Sequence, residues 1–131
     1  MNILRLAAFS NGNQGGNPAG VVLLDELPST SIMQQTAAEV GYSETAFAAP
    51  HGTGFRVRYF SPASEVPFCG HATIALGAAL ARAHGNNIFE LTLNEATITV
   101  EGMVSGGAMN AALQSPPTFS QPAESLSLIH I

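Results

Sequence analysis

The chain has 131 residues, 46% hydrophobic and 10% charged, with nine acidic against four basic side chains and a net charge of −5. This suits one globular unit with a core of Ala, Val, Leu and Ile, and argues against disorder. The four basic residues, Arg5, Arg56, Arg58 and Arg82, are scattered, so the chain offers neither a cationic footprint for nucleic acid nor a polybasic stretch for a membrane surface.

A single cysteine, Cys69, excludes an internal disulfide and a thiolate-rich zinc site. His51, His71, His84 and His130 show no metal-ligand spacing, so no metal is expected. The first nine residues do not resemble a signal peptide, and the longest apolar stretch, around residues 74–81, is too short to span a bilayer. The expected setting is the cytoplasm.

In chain order, "ILRLAAF" (3–9) reads as an opening strand, and "SNGNQGGNPAG" (10–20) as a Gly- and Asn-rich loop. "VVLL" (21–24) reads as a short apolar strand. "PSTSIMQQTAAEVG" (28–41) is a punctuated helix: Ser29, Thr30 or Ser31 can cap it and Gly41 can end it. Ile32, Ala37 and Val40 are its expected inward stripe. "ETAFAA" (44–49) returns to strand. "FRVRYF" (55–60) alternates, with Phe55, Val57 and Tyr59 on one face and Arg56, Arg58 and Phe60 on the other, so Phe60 makes the second face part buried.

"SPASEVPFCGH" (61–71) is a loop. "ATIALGAALARAHG" (72–85) is a helix apolar nearly all round, a pattern of helices surrounded by protein. "IFELTL" (88–93) and "ATITV" (96–100) form a hairpin-like pair, and "GAMNAAL" (107–113) adds a strand that Pro116 and Pro117 stop. The class is α+β: about six strands, mixed or antiparallel, in a barrel-like sheet wrapped around a central apolar helix. Residues 1–114 form the lobe. Residues 115–131 read as an irregular tail without a strand or helix partner, or as an artefact of truncation.

Three places can carry chemistry. Gly16-Asn17-Pro18-Ala19 is explained by turn chemistry alone. In Ser43-Glu44-Thr45, Glu44 is either an exposed strand-start carboxylate or a general acid/base, because partial burial disfavours its ionised form. Cys69-Gly70-His71-Ala72-Thr73 opens the apolar helix, where free N–H groups attract an anion. Gly70 lets a carboxylate approach and His71 can donate a hydrogen bond or shuttle a proton. The plainer reading there is a small-residue cap, a satisfied histidine and an inert thiol.

Taken together, "GNPAG" (16–20), "SETAF" (43–47) and "FSPASEVPFCGHAT" (60–73) closely resemble the PhzF-like phenazine-biosynthesis isomerase family, from about Leu4 to about Leu113. The resemblance implies the diaminopimelate epimerase fold and a cofactor-free isomerisation of a small cyclic acid, trans-2,3-dihydro-3-hydroxyanthranilate in the type reaction. It implies Glu44 as the catalytic acid/base, with Ser43, Gly70 and His71 lining the substrate pocket. The alternatives are an epimerase or racemase of the same fold using Cys69, and a non-catalytic binding lobe.

Family members have two lobes facing across a cleft. The second-lobe Asp-Pro-Val-Thr-Gly-Ser-like segment is not among these 131 residues. The chain by itself is therefore expected to be inactive or nearly so, unless two copies imitate the two lobes as a homodimer.

Overall fold

The computed structural model describes residues 3–8, 17–41, 44–105, 108–114 and 129–130. In chain order the elements are β1 (Leu4–Ala8), β2 (Asn17–Leu23), α1 (Thr30–Val40), β3 (Glu44–His51), β4 (Gly54–Phe60), β5 (Glu65–Val66), α2 (Gly70–His84), β6 (Asn87–Thr92), β7 (Thr97–Ser105), β8 (Ala108–Gln114) and β9 (Ile129–His130). The strands form one sheet in the order β1-β2-β3-β4-β6-β7-β8-β9, with β5 paired to β4.

Two pairings are parallel, β2 with β3 and β4 with β6, and the rest are antiparallel. Parallel neighbours cannot be joined by a tight turn. The chain makes the first crossover through α1 and the second through β5 and α2. The sheet is therefore mixed, and only part of it pairs sequence neighbours.

The strand period sorts side chains to two faces. On one, Ala19, Val21, Ala46, Ala48, Val57 and Tyr59 pack with α2. On the other, Val22, Phe47 and Phe60 pack with Met33 and Ala37 of α1. Phe47 and Phe60 meet edge to face, 5.6 Å between centroids. Each large side chain buried this way contributes about 1.5–3 kcal/mol.

Helix α2 touches β1, β2 and β3 at one end of the sheet and β6, β7 and β8 at the other, so the sheet curls around it. Its residues from Ala72 to Ala81 are all buried, as all-round apolarity required. The fit depends on small residues. A Cβ on Gly77 would lie 2.6 Å from Val100 Cγ2, and one on Gly102 would collide with the Gly77 carbonyl.

Four expectations change. Asn17–Gly20 is the start of β2 rather than loop: Pro18 tolerates a place near the strand's beginning because it has no N–H to leave unpaired. Helix α1 buries Met33, Thr36 and Ala37, while Ile32 is 47% exposed. Thr36 can be buried because its hydroxyl donates to the Ile32 carbonyl at 2.8 Å. The 61–71 loop contains β5, and α2 begins at Gly70. Ile129–His130 pairs with Asn110 and Ala111, so the tail returns to the sheet.

Candidate active site

Glu44 is the first residue of β3, beside Ala19 of β2. Strand alternation puts it on the face of Ala46 and Ala48, the face that holds α2. Its neighbour Thr45 turns the other way, where a Cβ on Gly20 would lie 2.9 Å from Thr45 Oγ1. The last glycine of the "GNPAG" motif thus lets β2 pass close to the start of β3.

The partner of Glu44 comes from the start of α2. Cys69 is the N-cap, in extended conformation, and its side chain makes no capping bond. The Cys69 thiol donates instead to Glu44 Oε1 at 3.3 Å. His71 Nδ1 lies 3.4 Å from the same sulfur, and His71 Nε2 lies 3.5 Å from Glu44 Oε1. The side chains of Glu44 and His71 are each 21% exposed, so a small molecule can reach both. Burial pushes the Cys69 thiol up to about 12, and the nearby Glu44 charge adds to this against the Ala72 and His71 backbone N–H groups aimed at the sulfur. Cys69 is therefore a neutral thiol near pH 7, a hydrogen-bond donor rather than a nucleophile or base.

A buried relay fixes this turn. Thr73 Oγ1 donates to the Cys69 carbonyl at 2.8 Å. With the only hydroxyl proton of Thr73 committed there, Tyr59 donates its phenolic proton to Thr73 Oγ1, at 2.6 Å. Burial raises the Tyr59 pKa above its ordinary value, so the phenol keeps its proton. The segment leading into Cys69 is tied down separately. Arg58 donates to both oxygens of Glu65, at 2.7 and 2.8 Å, and Asn94 donates to Glu65 Oε2 at 2.8 Å. Arg56 donates to Asn94 in turn.

Of the sequence-derived site residues, Glu44 and His71 are brought together. Gly70 opens α2 between Cys69 and His71, half-buried. Ser43 lies outside the described residues. The sequence reading missed the relay from Tyr59 and the Arg58–Glu65 clamp; only Thr73, inside a motif, carried any signal. For metal binding, the single cysteine and the histidine spacing carried no signal. Glu44, Cys69 and His71 offer donor atoms within 4.8 Å of one another, a grouping drawn from two elements that linear spacing cannot reveal. Among the described residues no helix is long and apolar enough to cross a membrane.

Comparison with known proteins bears on the family and the fold. The profile of the family described as phenazine biosynthesis-like protein matches residues 6–130. The uncharacterized isomerase YddE of Escherichia coli O157:H7 is 35% identical over 127 residues, an alignment covering 93% of this chain and 42% of that protein. A Bacillus anthracis phenazine biosynthesis protein of the PhzF family superposes with a TM-score of 0.71 at 28% identity, over 85% of this chain and 39% of that one. A Pseudomonas aeruginosa protein described as a predicted epimerase shares the fold, with a TM-score of 0.73 at 22% identity over 83% of this chain and 41% of that one. The chain thus spans less than half the length of these proteins. The epimerase-like lobe, the matching profile and relatives named as isomerases lead to one conclusion: this chain belongs to the PhzF-like family of phenazine biosynthesis-like proteins.

Proposed function

We propose that the chain is the glutamate-bearing lobe of a cofactor-independent isomerase that moves a proton between carbons of a small carboxylic acid. The observation that carries this reading is the contact of Glu44 with His71 and Cys69 at the start of α2. Glu44 Oε1 takes both described contacts, which leaves Oε2 to face a substrate. That oxygen removes a proton from one carbon, and the resulting carboxylic acid returns it at another, so no net proton or electron is consumed. The Cys69 S–H and the His71 ring hold the carboxylate in place. The Gly70 N–H, at the positive end of α2, is suited to a substrate carboxylate.

The family relatives are more than twice as long as the segment matched here, so the opposite wall of the cleft is assigned to a second lobe, in the same polypeptide or in a paired copy. That wall excludes water and completes the positioning on which the rate depends. The setting proposed is the cytoplasm. The thiol-based epimerase reading is disfavoured by the environment of Cys69, since a thiol held near 12 supplies little thiolate.

The test is deuterium incorporation from D2O into carbon positions of a panel of small carboxylic acids, followed by NMR with protein carrying both lobes. Glu44→Gln is expected to lower exchange by ~10²–10⁴-fold, the range for removing a general acid/base. Cys69→Ser is expected to keep most of it. Full exchange by Glu44→Gln, or loss confined to Cys69→Ser, would reject the carboxylate assignment.

A further inference from the structure

We infer that Glu44, Cys69 and His71 form a binding site for a divalent cation of the zinc type, with three protein ligands and an open fourth position. The argument is geometric. Tetrahedral zinc holds sulfur at about 2.3 Å and nitrogen and oxygen at about 2.0–2.2 Å, so its ligand atoms must stand about 3.4–3.6 Å apart. The triangle in this protein has edges of 3.3 Å from Cys69 Sγ to Glu44 Oε1, 3.8 Å from Cys69 Sγ to His71 Nε2, and 3.5 Å from His71 Nε2 to Glu44 Oε1. Each edge is within a few tenths of an ångström of what the ion requires, before any side chain moves.

The donor set is selective as well as well spaced. A sulfur, an imidazole nitrogen and a carboxylate oxygen together suit zinc and its d-block neighbours, whereas magnesium and calcium prefer oxygen alone. Glu44 and His71 remain partly exposed, which gives the ion an entry path, and the sulfur sits deeper between them. The relay from Tyr59 through Thr73 to the Cys69 carbonyl fixes the backbone that carries two of the three ligands. On binding, the Cys69 S–H bond breaks, the sulfur–metal bond forms and the proton passes to solvent, with no change of oxidation state.

The binding site goes beyond the isomerase reading and does not depend on it; only its inhibitory consequence rests on that reading. A metal on Glu44 occupies the group which that reading uses to move protons, so the ion acts as an inhibitor that competes with substrate for the site.

The untagged chain is titrated with Zn²⁺ by calorimetry and with Co²⁺ by absorption spectroscopy. The expected result is one equivalent of metal and a near-ultraviolet sulfur-to-cobalt charge-transfer band. Cys69→Ser is expected to abolish the band. Cys69→Ser, His71→Ala and Glu44→Gln should each weaken Zn²⁺ by about tenfold or more, since loss of even an outer-shell partner costs that much. His51→Asn, at an exposed strand end, should change nothing. A wild-type Co²⁺ complex without the sulfur band overturns the inference whether or not any variant folds. Undiminished Zn²⁺ binding by all three ligand variants overturns it too.

Discussion

The two helices begin in the same way and use their first residues differently. Both follow an extended N-cap. At α1, Ser29 accepts a hydrogen bond from the Ile32 N–H at 3.3 Å, and Gly41 closes the other end in the left-handed conformation with its N–H on the Ala37 carbonyl. At α2, Cys69 makes no capping bond and points its thiol at Glu44. The first helix is built for stability. The second gives up a cap, and its first turn is held from behind by Thr73 and Tyr59 so that its front can meet a carboxylate.

Substitutions can break this contrast from either side. The largest expected effect is at α1. Met33→Ala opens a cavity against Phe47 and Phe60 and should cost about 2–5 kcal/mol of stability. Chemical denaturation measures this, and activity per folded molecule should hold. Next is Thr73→Val, which leaves the Tyr59 hydroxyl without its partner and takes the side-chain hydrogen bond from the Cys69 carbonyl, which keeps the Thr73 N–H at 3.0 Å. It should cost about 1–3 kcal/mol. Unlike Met33→Ala, it should also lower exchange activity per folded molecule, because the turn carrying His71 loses its side-chain tie to Tyr59.

Ser29→Ala comes third, at about 1 kcal/mol from the lost cap, read as a lowered melting temperature with unchanged exchange. The smallest effect is at the clamp ahead of α2. Its hydrogen bonds from Arg58 hold Glu65 below its ordinary pKa. Such a depressed carboxylate contributes stability above its unfolded pKa and loses it as pH falls through the folded one. Because the pair is partly exposed, the contribution should stay below about 1 kcal/mol. A denaturation series from neutral pH down to about pH 3 should show wild type losing more stability than Glu65→Gln.

The contrast between the helices also marks what the sequence could convey. Strict alternation in Phe55–Phe60 sorted β4 correctly, and the all-round apolarity of residues 72–81 placed α2 at the centre. The face of α1 was misjudged, with Ile32 in place of Met33. A threonine lies in its buried stripe, and hydrophobicity does not register a hydroxyl that is satisfied within its own helix. Two residues of β5 are too few to leave a period. At the site, the motifs and the resemblance they carry implied Glu44 and His71 in one pocket, but not their contact with each other or with Cys69. Glu44 and Cys69 are 25 residues apart, and their contact depends on the register of β2 with β3 and on where α2 enters the curled sheet. Strand register across a parallel pair has no local signature. The relay through Tyr59 was hidden for a related reason: its alternation says only that the ring faces inward, not what its hydroxyl meets.

The most direct test of the central claim compares solvent-deuterium exchange by Glu44→Gln and Ser29→Ala, in protein carrying both lobes and at matched folded fraction. The account predicts that Ser29→Ala exchanges like wild type while Glu44→Gln, though folded, falls by ~10²-fold or more. Equal exchange in the two variants would contradict it, and the start of α2 would then be another way of beginning a helix.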